Sequence, residues 1–285
     1  MNEAHRLIAD AAFGALQERI IEQTGLAYYR GREQELAMHV GHRMAALGVT
    51  SLPAYLQRLS SHAELDTLAQ ALTIGETYFF RYQEQFDALR DRVLPELILE
   101  RSSLRRLRIW SAGCATGPET YSLSILLQHD FGARLQGWDV QIVGTDINRE
   151  FLARAEAGIY VEWAFRGVPD AVRAAFFERN GETWRVRANY RNGVHFQYHN
   201  LVTHPFPSLV NGLAAFDIIL CRNVFIYFDL STQHRLIRQF TDSLVDGGWL
   251  LVGHAESNLE LFRGLETVSV PGSTLYRKAP APLLW

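Results

Sequence analysis

Residues 107–127 read LRIWSAGCATGPETYSLSILL, an apolar run that breaks into two glycines and a proline and then resumes. Gly113 and Gly117 admit backbone angles closed to other residues, and they let a ligand approach the main chain closely. Taken alone, they also fit an ordinary tight turn. No lysine followed by Ser/Thr is present to hold phosphates, and Glu119 stands where a phosphate loop would want no anion. A cationic ligand group suits the loop better. The run DVQIVGTD ends in Asp146, a place where an acid accepts hydrogen bonds from ribose hydroxyls. A nucleoside carrying an ammonium group is S-adenosylmethionine (SAM), and adding Glu119 and Asp146 to the glycines points to that cofactor.

The elements around these residues must place them at one sheet edge. Leu107–Trp110 suits a buried strand, Pro118 can open a helix without losing a needed donor, and Tyr121, Leu123, Ile125, Leu126 and Leu127 suit a helix packed on a sheet. From Leu107 onward, strand-like runs (LRIW, DVQIVGTD at 139–146, FDIILCRN at 216–223, GGWLLVG at 247–253, then VSV and TLYRK) alternate with helical ones. This alternation predicts an α/β domain with a mostly parallel sheet. WRVRAN (184–189) and VHFQYHNL (194–201) show two-residue alternation around RNG, which predicts a small antiparallel insertion at about 160–198. Residues 1–75 carry no convincing strand. Leu7, Ile8, Ala11, Ala12, Ala15 and Leu16, then Leu36, Val40, Met44 and Leu47, mark helix faces punctuated by Gly25 and Gly48, and Pro53 sits near the start of a further helix. The division is therefore 1–75, a helical domain, and 76–285, an α/β domain. The tail KAPAPLLW reads as the start of a linker.

The bulk numbers narrow the partners. With 285 residues and 48% hydrophobic content the chain can bury a proper core, and a net charge of −3 gives no overall attraction to nucleic acid or an anionic membrane. No apolar run approaches the roughly 20 residues needed to span a bilayer, and the acid-bearing start is unlike a signal peptide, so the expected location is the cytoplasm. Cys114 and Cys221 lack metal-ligand spacing and suit small buried thiols better than a disulfide or a nucleophile. His39 and His42 lie three apart on a helix, a spacing that can bind metal. No third ligand is evident nearby, so no metal is expected and a solvated face with Arg32 and Arg43 is the simpler reading.

The strings SAGCATGPETYSLS, GTDIN (144–148), HNL (199–201), CRNVFIYFD (221–229) and TIGETYFFR (73–81) occur in this order along the chain. Together they resemble the CheR-type chemotaxis receptor methyltransferases. The resemblance implies a Rossmann-like SAM-dependent methyltransferase domain, a small N-terminal helical domain and an inserted antiparallel β-subdomain. It implies methyl transfer from SAM to glutamate side chains of a chemoreceptor, giving a methyl ester and S-adenosylhomocysteine (SAH).

Carried over by position, Glu119 stands near the methionine amino group, Gly113 lines the pocket, and Asp146 meets the ribose. Asn200 and Leu201 lie by the adenine, Arg222 and Asn223 complete the cleft, and Thr77 and Arg81 close over the cofactor. Arg81 and Tyr227 stand nearest the transferred methyl. Gly75 also falls in the cofactor set, but the family usually has asparagine there, so one hydrogen bond is expected to be missing. Pro118 replaces the first glutamate of the family's usual pair. The implied partner is the acidic methylation helices of a receptor, met by the helix of Arg32, His39, His42 and Arg43. ERNGETW is shorter and poorer in glycine than the corresponding loop of members that dock on a receptor's C-terminal pentapeptide, which suggests independence of that tether. A monomer is the default.

The chemistry is economical. A glutamate with pKa near 4.3 is ionised at neutral pH, so its attack on a sulfonium methyl needs no general base. Alignment remains, worth about 7–11 kcal/mol in favourable systems. Arg81 could hold the carboxylate through paired hydrogen bonds, with Tyr227 orienting it. Without the family context, Arg81 also reads as a surface charge and Tyr227 as core. Two rivals stand: a methyltransferase with another substrate, and a module that senses SAM or SAH without turnover. CRNVFIYF lacks the Asn/Asp-Pro-Pro-aromatic stretch of amino-directed nucleic-acid methyltransferases, which counts against one form of the first.

Overall fold

The computed structural model describes residues 3–258 and 260–279; the last six residues of the KAPAPLLW tail lie outside them. The chain opens with helices α1 (Glu3–Ile8), α2 (Phe13–Thr24), α3 (Glu33–Leu47), α4 (Leu52–Arg58) and α5 (His62–Leu72). Their apolar faces meet in a core of their own, with Leu16, Ile20, Leu36, Val40, Tyr55 and Leu68 fully buried. Each such side chain contributes about 1.5–3 kcal/mol through burial. Gly25 and Gly48 end α2 and α3 in left-handed caps. The apolar repeat through Ala11 and Ala12 does not continue as helix: α1 stops at Ile8, and Asp10 Oδ1 accepts a hydrogen bond from the Ala12 N–H, a local turn that competes with helical pairing.

An irregular segment at 73–82 leads to α6 (Gln83–Ala88), a π turn and α7 (Leu94–Glu100). The alternating part follows: β1 (Arg106–Ala112), α8 (Pro118–Phe131), β2 (Asp139–Asp146) and α9 (Arg149–Ala157). Then come β3 (Ile159–Tyr160), α10 (Asp170–Phe176), β4 (Phe177–Asn180), β5 (Thr183–Val186) and β6 (Val194–Tyr198). The chain closes with β7 (Phe216–Cys221), α11 (Leu230–Ser243), β8 (Leu244–Val252), β9 (Glu266–Val270) and β10 (Ser273–Arg277).

The main sheet runs β6-β2-β1-β7-β8-β10-β9. β1 pairs in parallel with β2 and β7, β2 with β6, and β7 with β8, while β10 is antiparallel to both neighbours. Because the order reverses between β1 and β7, a crevice opens beyond their carboxyl ends, the place where open α/β sheets bind ligands. Trp110 and Trp249 are fully buried in apolar clusters on this sheet.

The insertion differs from the expected one. β5, the WRV strand, pairs antiparallel with β3 and β4, but VHFQY is not its hairpin partner. That segment is β6, parallel to β2 at the edge of the main sheet, with Ile142 opposite Val194 and Asp146 opposite Tyr198. The hairpin turn is instead Gly181–Glu182, between the paired Asn180 and Thr183, and Gly181 has φ +63°. Short strands of equal alternation carry no label for their partner, and two NG-type turns lay within fifteen residues of each other.

The helical part is tied to the α/β part by polar contacts. Tyr198 donates its hydroxyl to Asp66 Oδ1 at 2.7 Å, Arg30 reaches Asp229 at 3.2 Å, and Asn148 Nδ2 donates to Thr73 Oγ1 at 2.9 Å. Gly25 is packed so closely that a Cβ there would sit 2.5 Å from Val202 and 2.6 Å from Phe228.

Candidate active site

The crevice beyond β1, β2 and β7 is a cavity of about 210 Å³, closed on its open side by the 73–82 segment and by the end of α2. Thr77, Arg81, Gly113, Glu119, Asp146, Asn200, Leu201, Arg222, Asn223 and Tyr227 all line it. Gly75 does not, although its neighbours Ile74 and Glu76 do. A Cβ at Gly75 would lie 2.5 Å from the Phe151 ring, which itself lines the cavity. The phenylalanine of α9 thus takes the space a larger residue at 75 would need.

The glycine loop behaves as its residues require. Gly113 has φ +72°, its N–H donates to Thr145 O at 2.8 Å, and a Cβ would sit 2.5 Å from Val224. Gly117 has φ +93° and precedes Pro118 at the first turn of α8, with Ala155 within 2.8 Å of where its Cβ would stand. Ala115 also takes a positive φ, +48°, and its N–H donates to Asp146 Oδ2 at 2.9 Å. The Asn148 N–H donates to Asp146 Oδ1 at 2.8 Å. Burial nevertheless wins over these bonds and lifts the Asp146 carboxyl to about 6.

Glu119 accepts the Ser111 hydroxyl at 2.6 Å, and its other oxygen lies 3.3 Å from Arg222 Nη1. That approach is an ion pair without hydrogen-bond alignment: Arg222 Nη1 and Nε are buried and find no hydrogen-bond partner among the described residues. Burial lowers the Arg222 pKa from its ordinary value, Glu119 opposing that effect and the Arg81 charge adding to it. Arg222 Nη2 donates to the Arg81 carbonyl. Arg81 Nη1 donates to Glu76 O at 2.9 Å, while its Nε is buried without a partner among the described residues. Tyr227 packs its ring edge-on to Tyr28 at 5.7 Å, and burial raises its phenol pKa.

Asn200 lines the cavity, and its side chain is held by bonds within the protein. Its amide donates to Gln23 O at 2.7 Å and its carbonyl oxygen accepts from Val202 N at 2.9 Å, so the side chain joins α2 to this loop. Cys114 and Cys221 are buried free thiols, pushed up by desolvation. Arg43 gives its charge to Glu64 at 2.7 Å through a two-point pair, and Glu64 also accepts the Tyr55 hydroxyl, so the expected basic face of α3 loses one of its four members.

Sequence reasoning missed three residues. Glu256, 7% exposed, accepts from the N–H groups of Gly253 (2.6 Å), Asn223 (2.7 Å) and Ile226 (3.3 Å), and so holds the loop after β7. His199 lines the cavity, and burial lowers its imidazole to about 4, so it is neutral at physiological pH. Tyr82 accepts from Asn223 Nδ2 at 3.0 Å. An acid three residues beyond the glycine closing β8 was the available signal for Glu256; nothing local singles out Tyr82.

The donor set fits an amino-acid nucleoside. Arg222 offers unpartnered N–H groups to a carboxylate, Glu119 offers a carboxylate to an ammonium, Asp146 suits ribose hydroxyls, and Leu201 and Phe228 supply apolar wall. Fold and cleft define a SAM-dependent methyltransferase. Residues 75–270 match the family "CheR methyltransferase, SAM binding domain", and the chain belongs to that family. It is 30% identical over 277 residues to a chemotaxis protein methyltransferase 1 of Pseudomonas aeruginosa, covering 94% of this chain and 98% of the relative. A chemotaxis protein methyltransferase of Listeria innocua is 34% identical over 195 residues, 68% of this chain and 70% of that one. A probable biofilm formation methyltransferase of Pseudomonas aeruginosa is 32% identical over 240 residues, 84% and 55% of the two chains. SAM is the cofactor, and methylation in chemotaxis is the activity these relatives support.

Proposed function

We propose that the protein methylates glutamate side chains on the cytoplasmic helices of a chemoreceptor, working as a cytoplasmic monomer. The observation that carries this reading is Arg81: a guanidinium on the cavity wall, with Nη1 donating to Glu76 O and Nε unpartnered among the described residues. Such a group suits a carboxylate as acceptor, because a planar guanidinium can hold both oxygens. When bound, SAM supplies an electrophilic methyl on a positively charged sulfur.

The chain's own residues do the rest. Glu119 and Arg222 hold the amino-acid end of the cofactor, Asp146 its ribose, and Leu201 the adenine. Thr77, from the 73–82 segment, closes over it. Arg81 orients the incoming carboxylate, and Tyr227 walls the same region. No proton has to be removed from an ionised glutamate, which agrees with a site whose neutral His199 and buried thiols offer no strong base. The two-residue turn at Gly181–Glu182 supports a reading in which the protein needs no receptor pentapeptide tether, since the small sheet has no long loop there to cradle one. Among the described residues no helix is long and apolar enough to cross a membrane.

The test is incubation with methyl-labelled SAM and receptor-bearing membranes, with and without the receptor's last five residues, followed by mild alkali. Volatile label in both samples supports a carboxyl methyl ester and tether independence. Alkali-stable label means another acceptor atom, and SAH binding with no label on any receptor supports the non-catalytic sensor.

A further inference from the structure

We infer that Tyr82 is a positioning residue for the methyl transfer, acting as an aromatic spacer that lets two guanidinium groups share one wall of the cleft. The residues on either side of Arg81 take left-handed backbone angles without being glycine: Phe80 has φ +56° and Tyr82 φ +64°. Left-handed backbone is unfavourable for bulky L-residues, so such a pair persists only where the surroundings hold it. At Phe80 the hold is visible, since its N–H donates to Ser122 Oγ at 3.0 Å. Glycine would relieve the angle at 82 but would remove the ring.

That ring touches the site from several directions. The Arg81 guanidinium lies 5.1 Å from its centroid and the Arg222 guanidinium 4.8 Å. His254 stacks on it at 4.1 Å with planes 26° apart, and His254 Nε2 lies 2.8 Å from Glu84 Oε1. The phenol oxygen accepts from Asn223 Nδ2 at 3.0 Å. Two like charges near one another repel, and the π system of one ring attracts both. The ring therefore offsets a repulsion that the protein cannot avoid if one arginine is to serve the cofactor and the other the acceptor.

This inference rests on Arg81 holding the acceptor carboxylate, and the experiment separates the two. Methanol-releasing methyl transfer is measured for Tyr82→Phe, Tyr82→Leu, Arg81→Ala and the Tyr82→Leu/Arg81→Ala double variant, with SAH affinity and thermal midpoint recorded for each. Tyr82→Leu should lower turnover about tenfold, between the scales of an exposed and a desolvated cation–π contact, and Tyr82→Phe should restore most of it. In the Arg81→Ala background Tyr82→Leu should cost little more, because its effect passes through Arg81. The inference is overturned by equal losses in both backgrounds, by a Phe variant as slow as the Leu variant, or by a Leu variant that turns over normally. If Arg81→Ala itself turns over normally, the role given to Arg81 falls first.

Discussion

If Asp146 accepts the ribose hydroxyls as proposed, cofactor affinity should depend on pH in a way that can be worked out. In the free protein its carboxyl is lifted from an ordinary 3.8 to about 6 because burial outweighs the bonds from Ala115 and Asn148. A rise of that size adds about 3 kcal/mol to the cost of ionising the group. Ribose hydroxyls donate to the ionised form, so SAM or SAH binding should pull the pKa back down and release a proton. At pH 6 the free group is about half protonated, and binding should release roughly half a proton. Below pH 6 the SAH affinity should weaken, approaching tenfold per pH unit, and above pH 7 it should be flat.

Two neighbours lie outside this window. His199 stays neutral above about 4, and the Cys114 thiol is pushed up by burial. The assay is SAH titration calorimetry at pH 5, 6 and 7, in two buffers of different ionisation enthalpy. Asp146→Asn should remove the proton release and cost about 1.5–3 kcal/mol of binding at pH 7, the worth of a charge-assisted hydrogen bond. An affinity that is flat from pH 5 to 7, with Asp146→Asn binding like the parent, would refute the argument. Stability carries the opposite sign from a salt-bridged acid. The folded state binds this proton more tightly than the unfolded chain between about pH 4 and 6, so the group's contribution to apo stability falls as pH rises through that window.

Arg81→Ala should lose most turnover while keeping SAH affinity within a fewfold; unchanged turnover in the labelled-methanol assay would remove it from the mechanism. Glu119→Gln leaves the buried Arg222 charge uncompensated, and should cost on the order of 3 kcal/mol of stability by urea unfolding as well as weakening SAH binding. Gly113→Ala forces a methyl into left-handed backbone 2.5 Å from Val224, and should destabilise by about 1–3 kcal/mol; a thermal midpoint equal to the parent's would show that the loop can yield. Gly75→Asn should be destabilising alone and rescued by Phe151→Ala, because the ring occupies the space. A stable single variant that binds SAH more tightly would show that Phe151 swings aside.

The sequence by itself determined the features that depend on neighbours along the chain. The strand, glycine loop and Pro118-opened helix were legible because backbone angle, missing donor and helical spacing are local properties, and Gly113, Gly117, Glu119 and Asp146 lie within or just after them. The helix-capping glycines 25 and 48 were legible for the same reason. Tertiary structure decided pairing. VHFQY and WRV alternate alike, and only the register against Ile142–Asp146 sends one to the main sheet and the other to the small one. Arg43 looked available until Glu64, twenty-one residues later, met it. That Gly75 leaves a hydrogen bond unmade was legible in the sequence; that the Phe151 ring fills the space beside it was not. Glu256 and Tyr82 gain their roles from bonds to Asn223 across 33 and 141 residues of chain. Contacts closed over such distances depend on where the sheet brings its strand ends together, and no local pattern records that.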